Sequence, residues 1–281
     1  MNLWKTGLVA LLISSCASTP QATSPTAVVP QGPQLREKQI LTLIPTAVKS
    51  YYGDGILAGS VKTTYDETGL LKKEESFNPS GVLTEYKTGV FDGKKLKITS
   101  FNNAGEIQSS KVLTLGERNR ITLEEFYSAK NVLQSVNSYE FDELDRVTRW
   151  IAKDGANIVL ASTDYVYTDE KLQKIEIKDE SGKLLKTYPH TYDPNGQLLE
   201  KKEVETDDSV IGLTSYTYDS NGLLLKEESK NSEMVILRIT EYLYNGSQVP
   251  LKTNYLDRRG KIIEFKETEY TAFKKTVMER G

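Results

Sequence analysis

The sequence predicts an all-β fold, an open and twisted antiparallel β-meander of repeated hairpins, much of it a single layer. Three observations predict it. An aromatic residue followed by a turn recurs at a nearly fixed interval, the turns share one chemistry, and the segments between them carry charge on both of their faces.

The interval is set by Tyr65, Phe91, Leu115, Phe141, Tyr167, Tyr192, Tyr218, Tyr244 and Tyr270, whose successive spacings are 26, 24, 26, 26, 25, 26, 26 and 26. A period held so tightly over most of a chain marks a repeat architecture. The turns read Asp/Asn-x-x-Gly, at Asp66–Gly69, Asn78–Gly81, Asn102–Gly105, Asp179–Gly182, Asp193–Gly196, Asp219–Gly222 and Asp257–Gly260. An Asp or Asn side chain starts a type I turn, and Gly accepts the positive φ of the bulge that follows. Asn131 and Asp145 take the glycine's place in two further turns, and both residue types tolerate the left-handed region.

An apolar residue before each turn is matched by an aliphatic one six positions later. The pairs are Tyr65 with Leu71, Phe77 with Leu83, Phe101 with Ile107, Tyr127 with Leu133, Phe141 with Val147, Tyr192 with Leu198, Tyr218 with Leu224 and Leu256 with Ile262. Facing each other across a hairpin, such a pair contributes roughly 0.2 to 1 kcal/mol. Two turns per period give sixteen to eighteen strands. Their interiors, as in Lys72-Lys73-Glu74-Glu75, Glu200-Lys201-Lys202-Glu203 and Lys226-Glu227-Glu228, place charge on both faces because neighbouring side chains point opposite ways. A sandwich or a filled barrel needs one consistently apolar face, so an open sheet with both faces largely wet is expected. Greasier segments such as Val235-Ile236-Leu237 suit some curling.

Ahead of the repeats, Lys5, the apolar run Gly7 to Ile13 and the small residues Ser14 and Ser15 have the layout of a short signal peptide over 1–15. Cys16 follows and is the only cysteine of the chain. Residues 16–37 carry Pro20, Pro25, Pro30 and Pro33 among Ser, Thr, Ala and Gln, a composition suited to an unfolded tether, and 38–281 is the repeat domain. Loss of Lys5 with the leader takes the formal charge from −3 to −4, which supplies no electrostatic reason to bind nucleic acid.

Two resemblances add to this reading. The segment Ile13-Ser14-Ser15-Cys16 resembles the lipobox of bacterial lipoproteins, which implies a lipid on Cys16 as the lipid-attachment site and, with Ala17 following it, the outer membrane. Tyr65-Asp66-Glu67-Thr68-Gly69-Leu70-Leu71, Tyr192-Asp193-Pro194-Asn195-Gly196-Gln197-Leu198 and Tyr218-Asp219-Ser220-Asn221-Gly222-Leu223-Leu224 resemble the Tyr-Asp-x-x-Gly-x-Leu units of the YD-repeat, RHS-like family over about residues 60–270. That resemblance implies a strand-turn-strand unit and an association with cell-surface binding.

For function, the chain has one histidine, His190, and no nucleophile, base and oxyanion arrangement at motif spacing, so a non-enzymatic role is expected, with no cofactor and no metal. The compositional excess is 16 tyrosines. Tyr192, Tyr216, Tyr218, Tyr242 and Tyr244 are candidates for a ligand-binding ladder that takes a glycan or an envelope protein. The same ladder also suits a purely structural role, replacing a missing core. The expected function is therefore a lipid-anchored binding or structural protein of the cell envelope. The alternatives are a lipid or lipoprotein carrier with a curled half-pipe sheet, and an immunity protein that neutralises a toxin. Replacing Cys16 by Ser is expected to abolish incorporation of a labelled fatty-acid analogue in growing cells. Equal labelling of variant and wild type would contradict the lipobox.

Overall fold

Most of the hairpins are held by the residue that opens their turn. At Asp66 one carboxylate oxygen accepts the backbone N–H groups of Thr68 and Leu70, both at 2.9 Å, while Gly69 N–H donates to the Asp66 carbonyl at 3.1 Å. Asp154, Asp179, Asp219 and Asp257 repeat the arrangement, as do the amide oxygens of Asn78, Asn102 and Asn231. The fourth turn residue is left-handed, as at Gly69 with φ 83° and Gly182 with φ 84°. Asn131 (φ 57°) and Asp145 (φ 63°) take that slot as their residue types suggested. Three turns without an Asp/Asn-x-x-Gly signature do the same with Asn157, Asp208 and Met234. Met234 has φ 60°. With no short polar side chain to relieve it, the left-handed backbone there costs about 1–2 kcal/mol.

The computed structural model describes residues 35–280. Cys16, the leader over 1–15 and nearly all of the tether lie outside the described residues. Eighteen strands follow one another in an up-and-down path. They are β1 (Leu35–Tyr52), β2 (Leu57–Tyr65), β3 (Leu71–Phe77), β4 (Leu83–Asp92), β5 (Lys95–Asn102), β6 (Ile107–Leu115), β7 (Ile121–Ser128), β8 (Leu133–Phe141) and β9 (Val147–Asp154). The second half comprises β10 (Val159–Thr168), β11 (Lys171–Asp179), β12 (Leu184–Tyr192), β13 (Leu198–Glu205), β14 (Val210–Tyr218), β15 (Leu224–Asn231), β16 (Ile236–Leu243), β17 (Lys252–Leu256) and β18 (Ile262–Arg280). A single 3-10 turn at Glu117–Asn119 joins β6 to β7. All eight cross-turn pairs, from Tyr65 with Leu71 to Leu256 with Ile262, sit opposite each other as the spacing predicts.

The expected open sheet is wrong. Every strand pairs with its two neighbours in sequence, and β1 pairs with β18 from Leu35 opposite Arg280 to Tyr52 opposite Glu264, so the sheet closes into an antiparallel barrel. No turn joins β1 to β18, and local turn chemistry therefore gives no sign of their pairing. Closure follows because sheet twist accumulates strand by strand with one hand, and it removes both exposed edges. It does so without filling the inside. Among the described residues only Leu96, Leu113, Leu115, Ile239 and Leu256 are buried apolar side chains, and no side chain is fully buried. A barrel of this strand number is too wide for side chains to fill.

Two rims result. β1 enters and β18 leaves at one of them, together with the β2–β3, β4–β5 and subsequent even-to-odd turns; this is the entry rim. The odd-to-even turns, from β1–β2 to β17–β18, form the far rim. Beyond the entry rim, Leu35 to Ile44 and Thr271 to Arg280 continue as a two-stranded ribbon. Phe273 of this ribbon packs edge-on against Tyr65, ring centroids 5.9 Å apart.

Charge occupies both faces of the wall. Lys87 meets Glu74 at 2.6 Å on the face that carries Tyr65, and Lys186 meets Glu203 there at 2.7 Å. On the opposite face Lys73 meets Glu75 at 2.6 Å and Lys226 meets Glu228 at 2.8 Å. A charge facing lipid at mid-membrane costs a barrel roughly 2–4 kcal/mol, so neither face suits hydrocarbon.

Candidate functional site

Strand register places the whole recurring series, Tyr65 through Tyr270, on one face at the entry rim, one residue at or near the end of each even strand. Its tyrosines act alike. Tyr192 Oη donates to the Leu172 carbonyl at 2.7 Å, Tyr218 to Leu198 at 2.9 Å and Tyr244 to Leu224 at 2.9 Å. Tyr65, Tyr167 and Tyr270 do the same to Pro45, Val147 and Pro250 at 2.8, 3.1 and 3.0 Å. In all six the acceptor lies 20 residues upstream, at or near the start of the preceding odd strand in five of them and, at Pro45, where β1 passes from the ribbon into the barrel. Each hydroxyl thus ties one hairpin to the foot of the previous one. Basic side chains cover several of these rings, with Arg120 over Phe141 at 4.9 Å, Arg146 over Tyr167 at 4.2 Å and Lys171 over Tyr192 at 5.5 Å. Each such cation is attracted to the negative face of the ring beneath it.

Two residues upstream, on the same face, lies a second layer. It is aromatic along one contiguous arc only: Tyr139, Tyr165, His190, Tyr216 and Tyr242 on β8, β10, β12, β14 and β16. Elsewhere in this layer stand Thr63, Gly89, Leu113 and Thr268. Trp150 on β9 sits opposite Tyr139 on one side and Thr163 on the other, and Tyr188 on β12 lies opposite Ile175. The arc is legible in part, since Tyr216 and Tyr242 are candidates from sequence. Tyr139, Tyr165 and Trp150 escape that reading, although subtracting two from the same period finds both tyrosines.

The five candidate tyrosines therefore share one face but split by role. Tyr192, Tyr218 and Tyr244 spend their hydroxyls on backbone carbonyls. In the second layer Tyr242 donates to Glu227 at 2.9 Å and Tyr139 to Glu124 at 2.8 Å. Tyr165 and Tyr216 have no hydrogen-bond partner for their hydroxyls among the described residues. Burial pushes both phenols above the ordinary tyrosine value, with the Glu227 carboxylate adding to it at Tyr216. Burial, then Glu124, raises Tyr139 as well; burial, then Glu227, does so at Tyr242. His190 moves down, first through burial and then through the Lys201 ammonium, against a weaker opposing pull from the Tyr188 backbone. Its Nδ1 is buried without a hydrogen-bond partner. The arc thus combines flat rings, two phenols with unused hydroxyls, a neutral imidazole and the carboxylates of Glu124 and Glu227, groups that stack on and hydrogen-bond to polar ligands.

No family model matches the sequence, and no curated protein matches it. Among solved structures, the fold is similar to a porin-like protein from Bacteroides uniformis, with TM-score 0.43 and 12% identity over 81% of this chain and 97% of that one. A porin-like protein from Bacteroides vulgatus gives TM-score 0.36 and 14% identity over 81% and 98%. The TcdB2-TccC3 structure gives 0.24 and 11% over 78% of this chain but 15% of that one. Likenesses this distant carry no argument about function.

The division of roles is testable by removing single hydroxyls. Tyr218→Phe, which strands the Leu198 carbonyl, is expected to lower the unfolding free energy by about 1 kcal/mol. Tyr216→Phe removes an oxygen with no partner among the described residues and is expected to leave it nearly unchanged. Equal losses in urea titrations of the two variants would mean that the rim hydroxyls do not clamp the hairpins.

Proposed function

We propose that this chain is a non-enzymatic, lipid-anchored protein of the bacterial cell envelope. Its barrel stands in water beside the membrane and binds a glycan or an extended protein segment on the arc from β8 to β16. The observation that carries the reading is the pair of hydroxyls without a partner among the described residues, Tyr165 and Tyr216, on the same face as Tyr139, Tyr242 and Trp150, which stands opposite Tyr139. Aromatic rings with adjacent hydrogen-bonding groups hold sugars and peptides by stacking and polar contact together.

The other features agree with it. The lipobox-like segment ending at Cys16 supports anchoring, and Ala17 after it supports the outer membrane. Ion pairs on both faces speak against a lipid-embedded wall, and Glu124, Glu227 and Lys201 along the arc speak against a carrier for lipid tails. Resemblance to YD-repeat units supports cell-surface binding.

Trp150 is the only tryptophan left once the leader with Trp4 is removed, so it reports on the arc without interference. Titrating the mature lipidated chain in detergent with neutral oligosaccharides and unstructured peptides is expected to give a saturable change in Trp150 emission with one of the two classes. The double variant Tyr165→Ala, Tyr216→Ala is expected to weaken that binding by about tenfold or more. Emission that stays constant across both classes would contradict the proposal.

A further inference from the structure

The two rims differ in a way that the ligand arc does not explain. Each of the nine far-rim turns carries, in the turn or the strand residues beside it, at least one exposed apolar side chain, among them Ile56 and Ile158 at 62% and Leu237 also at 62%. Of the eight entry-rim turns, three carry none among the described residues. Taken together, the thirteen far-rim side chains form a ring of exposed apolar surface comparable in extent to one side of a standard protein interface. The strained Met234 stands on this rim, exposed in a slot that most other turns fill with Gly, Asn or Asp.

Charge on the same rim identifies what covers it. In cyclic order the turns carry Asp54 (β1–β2), no charge beyond strand ends (β3–β4), Glu106 (β5–β6) and Lys130 (β7–β8). They continue with none beyond the capping Asp154 (β9–β10), Glu180 with Lys183 (β11–β12), Asp207 and Asp208 (β13–β14), Glu233 (β15–β16), and Arg258, Arg259 and Lys261 (β17–β18). All of the turn-tip charges are exposed. A two-fold axis lying in the plane of the rim reverses this order, which is the geometry of an isologous contact.

Placed through the β15–β16 turn, the axis brings Asp207 and Asp208 onto Arg258 and Arg259 of a second copy, Lys183 onto Asp54, and Glu106 onto Lys130. The two turns without free tip charge meet each other, Val82 against Ile158. At the axis Met234, Val235 and Leu237 face their own copies, beside a shallow groove lined by Val235, Leu237, Leu256, Arg258 and Ile263. Glu233 faces its own copy, and Glu180 shares the Asp54 contact with Lys183. Moving the axis by one turn, to β17–β18, sets Arg258 and Arg259 against themselves and Glu233 against Asp54.

We infer that the far rim is a self-association surface, on which two copies of this chain meet end to end about a two-fold axis through the β15–β16 turn. The barrels then share one long axis, with each copy's β1–β18 ribbon at an outer end.

Native mass spectrometry of the full mature chain in detergent tests this with paired charge reversals. Wild type is expected to be dimeric. Asp207→Arg with Asp208→Arg, and separately Arg258→Asp with Arg259→Asp, each sets like charges together twice per dimer and is expected to weaken the dimer by about tenfold or more. Mixing the two variants restores opposite charges at one contact and leaves the other with the charges exchanged but still opposite, so the mixture is expected to form heterodimers with near wild-type affinity. Circular dichroism confirms that both variants keep the β-fold. A monomeric wild type overturns the inference, including one that binds uncharged lipid vesicles through this rim. So do variants that remain dimeric, or a mixture that stays monomeric.

Discussion

Everything in this barrel depends on how each hairpin keeps its register. In the commonest turn a single carboxylate or amide oxygen takes two backbone N–H groups, the fourth residue goes left-handed, and a one-residue bulge follows, as at Asp66. A slip of one residue in any strand sends its side chains to the other face. Because the ring is closed, errors cannot be absorbed at an edge. Face parity holds from β1 round to β18, so that Tyr51 stacks on Phe265 at 4.6 Å where first and last strands meet. With almost no buried apolar core, hydroxyl clamps, cross-strand ion pairs and the backbone ladder share the stabilising role that packing has in a filled barrel.

That dependence explains which parts of the fold can be read from sequence. Turn residues act over four positions, so Asp66, Asn131, Asp145 and the aromatic-aliphatic pairs announce themselves locally. Met234 does not, because nothing in its type suits the left-handed slot, and Asp208 is masked by the acidic residue beside it. Ring closure is least legible, since Lys49 and Glu267 are paired across more than two hundred residues by geometry that no short window contains. Mixed strand faces suggest an open sheet, yet they equally suit a closed wall wide enough to leave both surfaces wet. The tyrosine face is legible through its period, whereas the split between clamping and available hydroxyls requires the positions of the Leu172, Leu198 and Leu224 carbonyls.

A wall one residue thick has two consequences for function. Both of its faces and both of its rims are available, and each surface of this barrel has a different character: an aromatic arc, a face of Lys and Glu ladders, a clamped entry rim and an apolar far rim. Polar walls also separate architecture from location. The strand number matches that of membrane channels, but ion pairs on either side make lipid contact costly all round the wall. Under the proposed function, a lipid on Cys16 supplies the membrane attachment that the barrel wall is not built to make.

Closure is the claim on which the rest stands, and one cross-link reads it directly. Lys49 and Glu267 are directly paired on β1 and β18, a separation that a disulfide spans. In an open sheet of the same strands, spaced one ladder width apart, the two edges would lie roughly 80 Å from each other. With Cys16 as the only native cysteine, Lys49→Cys combined with Glu267→Cys is expected to form an intramolecular disulfide under mild oxidation while the β-spectrum is unchanged. Thiols that stay free under those conditions in the folded protein would contradict the closed barrel.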